Sequence, residues 1–171
     1  MDLEDSFTAY ASARWPALYR LAVLLTGESE ADDLAQQALF RAYRSWDRVQ
    51  DAASPDAYVR RIMVNTLISE RSRRRRGLEL VRAGRPVDAV ASPEHAYAER
   101  DELWSRLSSL PPRQRAVIVL RYYEDLSEQA IADALGCAPG TVKAHAAAAL
   151  KTLRISYDSA SDLSASGGTH A

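Results

Sequence analysis

Apolar residues recur at helical spacing through the first part of the chain, with polar residues between them. The first apolar stripe comprises Leu18, Leu21, Ala22 and Leu25. It stops at Thr26-Gly27, which predicts the end of a first helix. Ser29 is a good N-cap for a second helix, with Asp32 at its third position. The second apolar stripe comprises Leu34, Ala35, Ala38, Leu39, Ala42 and Trp46. These positions predict an amphipathic helix.

A third helix is predicted to begin with Ser54 as its N-cap and Pro55 at the first helical position. This helix ends in a basic run at residues 71–76. The helical period is then lost between Gly77 and Pro93, where glycines and prolines separate short apolar pieces. Such a stretch predicts a linker between two helical domains.

The second half of the chain is also helical in pattern, and we find no strand alternation and no internal repeat. The predicted helices run from the Ser92 cap to about Ser108, from Arg113 to about Glu124, briefly after Ser127, and from about Thr141 to Arg154. Pro111-Pro112 separates the first two of these helices. The tail from Ser156 is rich in Ser, Ala, Gly and Asp, and is predicted to be disordered.

The segment from Ser127 to His145 fits a helix-turn-helix. Ala132 provides a small side chain where two helices cross, and Gly136 follows where the turn needs a positive φ. Val142 fills the angle between the helices, and Thr141 is placed to cap the second helix. These offsets predict a helix-turn-helix whose second helix enters the DNA major groove. A helical hairpin in an ordinary bundle is the alternative.

The charged residues nearly balance but are unevenly distributed. The 171 residues include 22 Lys+Arg and 23 Asp+Glu, a formal net charge of −1. Residues 1–33 carry two arginines against seven acidic residues, whereas residues 60–85 carry nine arginines against two glutamates. An acidic segment and a basic segment in one chain suggest two different partners.

The composition excludes several classes of protein. Cys137 is the only cysteine, which rules out a disulfide framework and a Cys-rich zinc site. Apolar runs such as residues 21–25 are too short to cross a membrane, and the N-terminus is acidic where a secretory signal is basic. His95, His145 and His170 lack metal-ligand spacing. We therefore expect a cytoplasmic protein that is not an enzyme and needs no metal or other cofactor.

Residues of the third helix are candidates for nucleic-acid contacts. Arg71 and residues 73–76 cannot share one helix face, so they predict a phosphate-binding collar, with a solvated helix end as the alternative. Asn is a poor helix former at mid-helix positions. The side chain of Asn65 could hydrogen-bond either a base edge or a neighbouring loop. Trp46 and Tyr58 could stack on unpaired bases, although aromatic residues of this kind are more often in the core.

The predicted recognition helix offers few polar side chains. Its candidate DNA contacts are Lys143, His145, Lys151 and Arg154. The alanines at position 144 and positions 146–149 reach neither bases nor phosphates. We therefore expect modest DNA affinity from this helix alone.

Ordered motifs along the chain resemble a known family. The motifs are Phe7-Thr-Ala-Tyr, Leu24-Leu-Thr-Gly, Ala31-Asp-Asp-Leu-Ala-Gln-Gln-Ala-Leu, Tyr58-Val-Arg-Arg-Ile-Met-Val-Asn-Thr, Leu110-Pro-Pro-Arg-Gln-Arg-Ala-Val-Ile-Val-Leu-Arg-Tyr-Tyr-Glu-Asp-Leu-Ser and Gly140-Thr-Val-Lys. With them, the chain from Phe7 to Arg154 resembles an extracytoplasmic-function (ECF) RNA polymerase sigma factor of the sigma-70 family, in the actinobacterial SigE-like group.

The resemblance implies an all-α fold of two small domains joined by a flexible linker. Sigma region 2 would occupy residues 1–77, the linker 78–98, and region 4 with its helix-turn-helix 99–155, followed by the tail at 156–171. Such a factor would bind core RNA polymerase and direct promoter-specific transcription initiation. It would read the −35 and −10 promoter elements and separate the two DNA strands.

The resemblance also implies roles for individual residues. Docking on the β′ clamp helices of the polymerase would fall to Asp32, Asp33, Gln36, Gln37 and Phe40. Binding of −10 DNA would fall to Asn65, on a flipped-out base, and to Arg60, Arg61, Arg71, Arg73, Arg74, Arg75, Arg76, Trp46 and Tyr58. Binding of −35 DNA would fall to Ser127, Thr141, Lys143, His145 and Lys151. Region 4 would also rest on the β flap, and an anti-sigma factor is a further partner that the family implies.

The last helix departs from the family pattern and leaves alternatives open. Ala148 stands where family members usually carry Arg, within the string Ala-His-Ala-Ala-Ala-Ala-Leu at residues 144–150. A LuxR-type helix-turn-helix activator is one alternative, but it leaves residues 6–77 unexplained. A sigma mimic that binds an anti-sigma protein or polymerase without reading promoters is another. The sequence also leaves open whether the two domains pack together and hide their DNA-binding faces.

Overall fold

The computed structural model describes residues 2–81 and 98–166, with side chains over 2–77 and 102–155. Eight helices and no strand are found in these residues. Their bounds are α1 Leu3–Thr26, α2 Glu28–Tyr43, α3 Trp46–Gln50, α4 Pro55–Val81, α5 Ala98–Ser108, α6 Pro112–Tyr122, α7 Glu128–Leu135 and α8 Pro139–Ser166. Over this part of the chain the expected all-α fold is confirmed.

Helices α1–α4 form an N-terminal unit around one apolar core. Gly27 alone separates α1 from α2, and its φ of +83° turns the chain so that the two helices pack on each other. The N-cap prediction for α4 is correct, since the Ala57 N–H donates to Ser54 Oγ at 3.2 Å and the helix begins at Pro55. The core of this unit includes Leu21, Leu25, Leu34, Val59 and Met63.

Helices α5–α8 form a C-terminal unit that contains the predicted helix-turn-helix. Ser127 caps α7, because its Oγ accepts a hydrogen bond from the Ala130 N–H at 3.1 Å. Gly136 ends α7 in the left-handed region with φ +63°. Ala132 and Val142 are both buried where α7 meets α8. The small residue, the glycine and the aliphatic residue therefore have the structural roles that their spacing predicts.

Three predicted helix ends are wrong. Ser29 lies inside α2 and is not its N-cap, because the turn at Gly27 lets α2 begin immediately at Glu28. Trp46 begins α3 and does not end α2, since the chain turns after Tyr43. Thr141 lies inside α8, which begins two residues earlier with a proline at its first position.

Two helices are longer than their patterns predict. Helix α4 continues through the basic run to Val81. Helix α8 continues to Ser166 where a disordered tail is expected, and no glycine or proline lies between Gly140 and Gly167. The residues at 82–97 and 167–171 lie outside the described structure. They include most of the predicted linker, the proposed Ser92 cap, His95 and His170.

The two units pack against each other through helices α1 and α4 of the first and α5, α6 and α7 of the second. Arg115 of α6 is buried and donates from Nη1 to the Leu25 carbonyl oxygen at the end of α1, at 2.7 Å. The other guanidinium nitrogens donate to the carbonyl oxygens of Leu107 and Leu110 at 2.9 and 3.0 Å. The units therefore form one closed arrangement, which answers whether the two domains pack together.

Candidate polymerase and nucleic-acid interfaces

Helix α2 presents a polar face whose side chains hold one another in place. Asp32, Asp33 and Gln36 are exposed, and Gln37 is half-buried. Gln36 Nε2 donates to Asp32 Oδ2, and Gln37 Nε2 donates to Asp33 Oδ2 at 2.9 Å. These i, i+4 pairs align the carboxylates on the outer surface. The structure thus brings the predicted docking residues together on one helix face.

An exposed aromatic pair extends this face toward the end of α2. Phe40 is 63% exposed and Tyr43 is 41% exposed, and both continue the row that starts at Gln36. Aromatic side chains beside a polar rim are typical of protein–protein contacts. Tyr43 was not predicted as a site residue, although its spacing of three from Phe40 was a signal that could have identified it.

Helix α4 presents Asn65 on its outer face. Asn65 and Arg61, one turn apart, are both exposed. The alternative of an Asn bonded to a neighbouring loop does not fit this exposure. The adjacent Thr66 is buried and bonds the Ile62 carbonyl oxygen at 2.7 Å, so the helix wall behind Asn65 is firmly packed.

Trp46 is not available to stack on bases, so this prediction is wrong. Its side chain is only 3% exposed, and its Nε1 donates to Ser6 Oγ at 3.2 Å. The rings of Phe7 and Tyr10 lie 5.3 and 5.0 Å from it. Packing against α1 stabilises Trp46 in the core, which is the more common place for such a residue. Tyr58 is half-buried at the start of α4.

The arginine run divides into two groups. Arg71 and Arg74 both pair with Glu30 of α2, at 3.1 and 3.0 Å. The others, residues 73, 75 and 76, are exposed, and no salt bridge joins them to an acidic side chain in the described part of the chain. The run is therefore a collar only in part, because two of its five cations have a partner within the domain.

The outer face of helix α8 carries few polar side chains, as its composition predicts. Thr141, Lys143 and Lys151 are exposed, with exposed alanines at 144, 147 and 148 between them. The Lys143 ammonium lies 3.5 Å from Glu128 Oε1 of α7. His145 is half-buried and lines a cleft against Arg71 and Arg75 of α4, so it does not share the face of the two lysines.

The predicted −10 helix also takes part in the contact between the two units. Arg60 donates from Nε to Glu124 Oε2 at 2.9 Å, and both side chains are about four-fifths buried, with exposed fractions of 19% and 20%. Tyr58 and Arg61 line a cleft against Leu126 and α7. One side of α4 therefore faces the C-terminal unit, while Asn65 remains exposed.

Arg115 joins the units beneath this surface. Its guanidinium lies 4.9 Å from the centre of the Trp104 ring, in addition to its three carbonyl acceptors. Burial and, to a smaller extent, the positive charge of Arg71 lower the pKa of Arg115, Glu30 opposes the shift, and the net pKa is about 10. Arg115 therefore remains charged at neutral pH. Neither Arg115 nor Trp104 was predicted to have a role, because their contacts depend on domain packing.

The described residues include no candidate metal cluster and no candidate membrane span. No group of three His, Cys, Asp or Glu residues that could hold a metal ion occurs among them. Over the same residues, no helix is long and apolar enough to span a membrane.

Family models and known protein sequences match both units of the chain. The model of sigma-70 region 2 matches residues 5–77, and the model of sigma-70 region 4 matches residues 100–153. The chain is 39% identical over 154 residues to the RNA polymerase sigma-E factor of Streptomyces avermitilis, covering 90% of this chain and 86% of that protein. It is 34% identical over 143 residues to the ECF RNA polymerase sigma factor SigL of Mycobacterium tuberculosis, covering 81% of each.

Solved structures share the arrangement of helices. The sigma factor RpoE from Bartonella quintana, solved in complex with the anti-sigma factor NepR, matches with a TM-score of 0.72 and 25% identity, over 87% of this chain and 94% of that one. CnrH, solved with the cytosolic domain of CnrY, has the same fold, with a TM-score of 0.61 and 22% identity over 91% and 90% of the two chains.

Proposed function

This chain belongs to the ECF group of the sigma-70 family of RNA polymerase sigma factors, and we propose how its residues divide the work of transcription initiation. It binds core RNA polymerase and directs promoter-specific initiation. We assign region 2 to residues 1–77 and region 4 to residues 99–155, which the matches to residues 5–77 and 100–153 support. A LuxR-type activator does not account for the first of these matches.

The polymerase-docking surface consists of the outer face of α2. Asp32, Asp33 and Gln36 supply exposed carboxylates and an amide, and Phe40 supplies an exposed aromatic ring beside them. A polar rim around an aromatic anchor suits a protein partner, and the fixed carboxylates suit a basic one. We therefore assign this face to the β′ clamp helices, and region 4 to the β flap.

The −10 surface is the outer face of α4. Asn65 carries a donor and an acceptor on one amide, which can read the edge of an unpaired base. Arg61, one turn earlier, and Arg73 and Arg76, beyond it, place positive charge on the exposed part of the helix. Capture of an unstacked base by such a surface favours the open form of the DNA, so strand opening needs no bond-making step.

The −35 surface is the outer face of α7 and α8. Its residues on α8 are the exposed Thr141, Lys143 and Lys151, and Ser127 supplies the cap that orders α7. With so few cations the helix makes few phosphate contacts, so its affinity for isolated DNA is low. Attachment of region 4 to the polymerase raises the effective concentration of this helix at the promoter.

Reading both elements requires the two units to separate. The elements are about 25 base pairs apart, which is roughly 85 Å of B-form DNA. A compact chain of this length has a diameter of only about 40 Å. The closed arrangement cannot span that distance, so the interface around Arg60 and Glu124 must open on the polymerase.

We place this activity in the cytoplasm, where the core polymerase acts, and assign the chain no catalytic step of its own. Sigma factors are non-enzymatic initiation factors, and no group of three metal-ligating side chains occurs in the described part of the chain. An anti-sigma factor is a further proposed partner. The similarity to RpoE, which was solved with the anti-sigma factor NepR, supports it.

Exposed Asn65 on a rigid helix carries the assignment of the −10 surface, and its substitution tests it. In Asn65→Ala the amide is lost while the helix is kept, so open-complex formation should fall on the order of tenfold, the value of one good base contact. Affinity for core polymerase should not change. Ser72→Ala, an exposed change on the same helix, is the control and should leave both unchanged. Equal loss of polymerase binding and DNA opening in Asn65→Ala would refute this role.

A further inference from the structure

We propose that Glu30 masks Arg71 and Arg74 from DNA, so that only part of the arginine run is available to the phosphate backbone. The proposal rests on the function of α4 as the −10 DNA-binding helix. It makes Glu30 a positioning residue that sets the number of phosphate contacts, although it touches no DNA itself.

The geometry uses both oxygens of one carboxylate. Glu30 Oε2 lies 3.1 Å from Arg71 Nη2, and Oε1 lies 3.0 Å from Arg74 Nη1. The two arginines are three residues apart, so both point from the same side of α4 toward α2. The pocket around this contact is lined also by two further acidic residues and three other residues: Asp33, Glu70, Thr26, Leu34 and Leu67. Glu30 is therefore held in place by its helix and by its neighbours.

The remaining arginines have a different environment. Arg73 and Arg76 are exposed, and Arg76 Nε donates to the Ser72 carbonyl oxygen at 3.4 Å. Arg75 lines the cleft that faces Pro111 and His145. In the part of the chain that the structure describes, none of the three has a salt bridge to an acidic side chain. The run thus consists of an inner pair that is neutralised in part and an outer set that is free to bind phosphate.

The pair and DNA compete for the same donors. A phosphate that binds Arg71 or Arg74 must displace or share the carboxylate of Glu30, which also repels the phosphate. The logarithm of the binding constant falls linearly with the logarithm of the salt concentration. Each phosphate that the protein neutralises makes this slope steeper by about 0.9. The number of arginines in use can therefore be measured from the salt dependence of binding.

Glu30→Gln removes the masking charge and keeps the size of the side chain. The full chain is titrated with a short duplex of random sequence at several salt concentrations, and binding is followed by fluorescence anisotropy. We expect the affinity at low salt to rise on the order of tenfold and the salt slope to steepen by roughly one to two, as newly available arginines bind phosphate. Glu28→Gln is the matched control, because Glu28 is exposed on the same helix and makes the same change in charge. Its slope should equal that of the wild type.

A second pair of variants separates masking from a general charge effect. Arg71→Gln with Arg74→Gln should change binding less than twofold in the wild type but abolish the gain in Glu30→Gln. Arg73→Gln with Arg76→Gln should weaken binding in both backgrounds. Masking is wrong if Glu30→Gln and Glu28→Gln have the same affinity and salt slope. It is also wrong if substituting the inner pair weakens wild-type binding as much as substituting Arg73 and Arg76. If the outer pair has no effect in either background, α4 is not the DNA-binding helix, and it is the proposed function that fails.

Discussion

Gly27 meets two constraints at once. Its φ of +83° is a conformation that only glycine adopts without strain, and it lets α1 turn directly into α2. A Cβ atom at this position would lie 2.7 Å from Cε2 of Trp104 in the other unit. The sequence marks Gly27 as a helix end, but nothing local indicates that a ring from a distant helix packs against it.

Gly27→Ala should therefore destabilise the closed protein by more than backbone strain alone. Gly136→Ala is the comparison, because Gly136 has a φ of +63° in the left-handed helical region and open space around it. We expect about 1 kcal/mol for Gly136→Ala from left-handed strain. Gly27→Ala should cost roughly a further 1–3 kcal/mol, from the steric overlap and from a backbone with ψ 166° that is essentially restricted to glycine. Urea unfolding of the two variants measures the difference. Adding Trp104→Ala to Gly27→Ala should recover part of it, and equal costs at both glycines would contradict the overlap.

The sequence predicted which residues are buried better than it predicted which groups they contact. The second stripe includes Trp46, and the structure buries it, yet its proposed stacking on bases is wrong because Phe7 and Tyr10 enclose it. Asn65 could not be assigned from spacing alone, since the same residue type fits a base edge or a loop. Exposure decides between them, and exposure depends on which side of α4 packs against α2.

At the scale of the elements, helices α7 and α8 follow their sequence closely. The cap at Ser127, the left-handed Gly136 and the buried Val142 are local features, so the sequence alone predicted this turn. The ends of α4 and α8 were not predicted, because a charged run and a Ser/Ala-rich tail neither require nor forbid a helix. The partners of the arginine run depend on α2, which local patterns do not specify.

Ala148→Arg should strengthen −35 binding. Ala148 is exposed on α8, and the family pattern places an arginine there, so a guanidinium at this position can reach the DNA. We expect the affinity of the isolated promoter duplex to rise on the order of tenfold. Ala147→Arg adds the same charge at a neighbouring exposed position and serves as the control. An equal gain in both variants on any DNA sequence would show that only the charge matters.

At the scale of the whole molecule, the closed arrangement is the main departure from two independent domains. Arg115, Trp104 and the Arg60–Glu124 pair all join the units, and none of these contacts is visible in a helical pattern. Long-range contacts between residues about ninety positions apart, such as Arg115 with Leu25, depend on the docking of complete domains. This is why the sequence predicted each unit but not their contact.

Glu124→Gln should shift the free protein toward separated units, because it removes the charge that Arg60 requires in a largely buried contact. Labels on Arg48→Cys and Ser105→Cys, in a Cys137→Ser background, report the distance between the units. We expect a short distance in the free protein, a larger open fraction in Glu124→Gln, and a longer distance for both once core polymerase is added. A distance that polymerase leaves unchanged would contradict opening of the interface.

In vitro transcription tests the central claim most directly. The protein is mixed with core RNA polymerase and genomic DNA fragments, and the starts of the transcripts are sequenced. A promoter-reading sigma factor predicts discrete starts that share two upstream elements, and the starts should be lost when the protein is omitted. Core binding without specific starts would instead indicate a sigma mimic. Duplex binding without any core binding would contradict the account and favour an activator of the LuxR type.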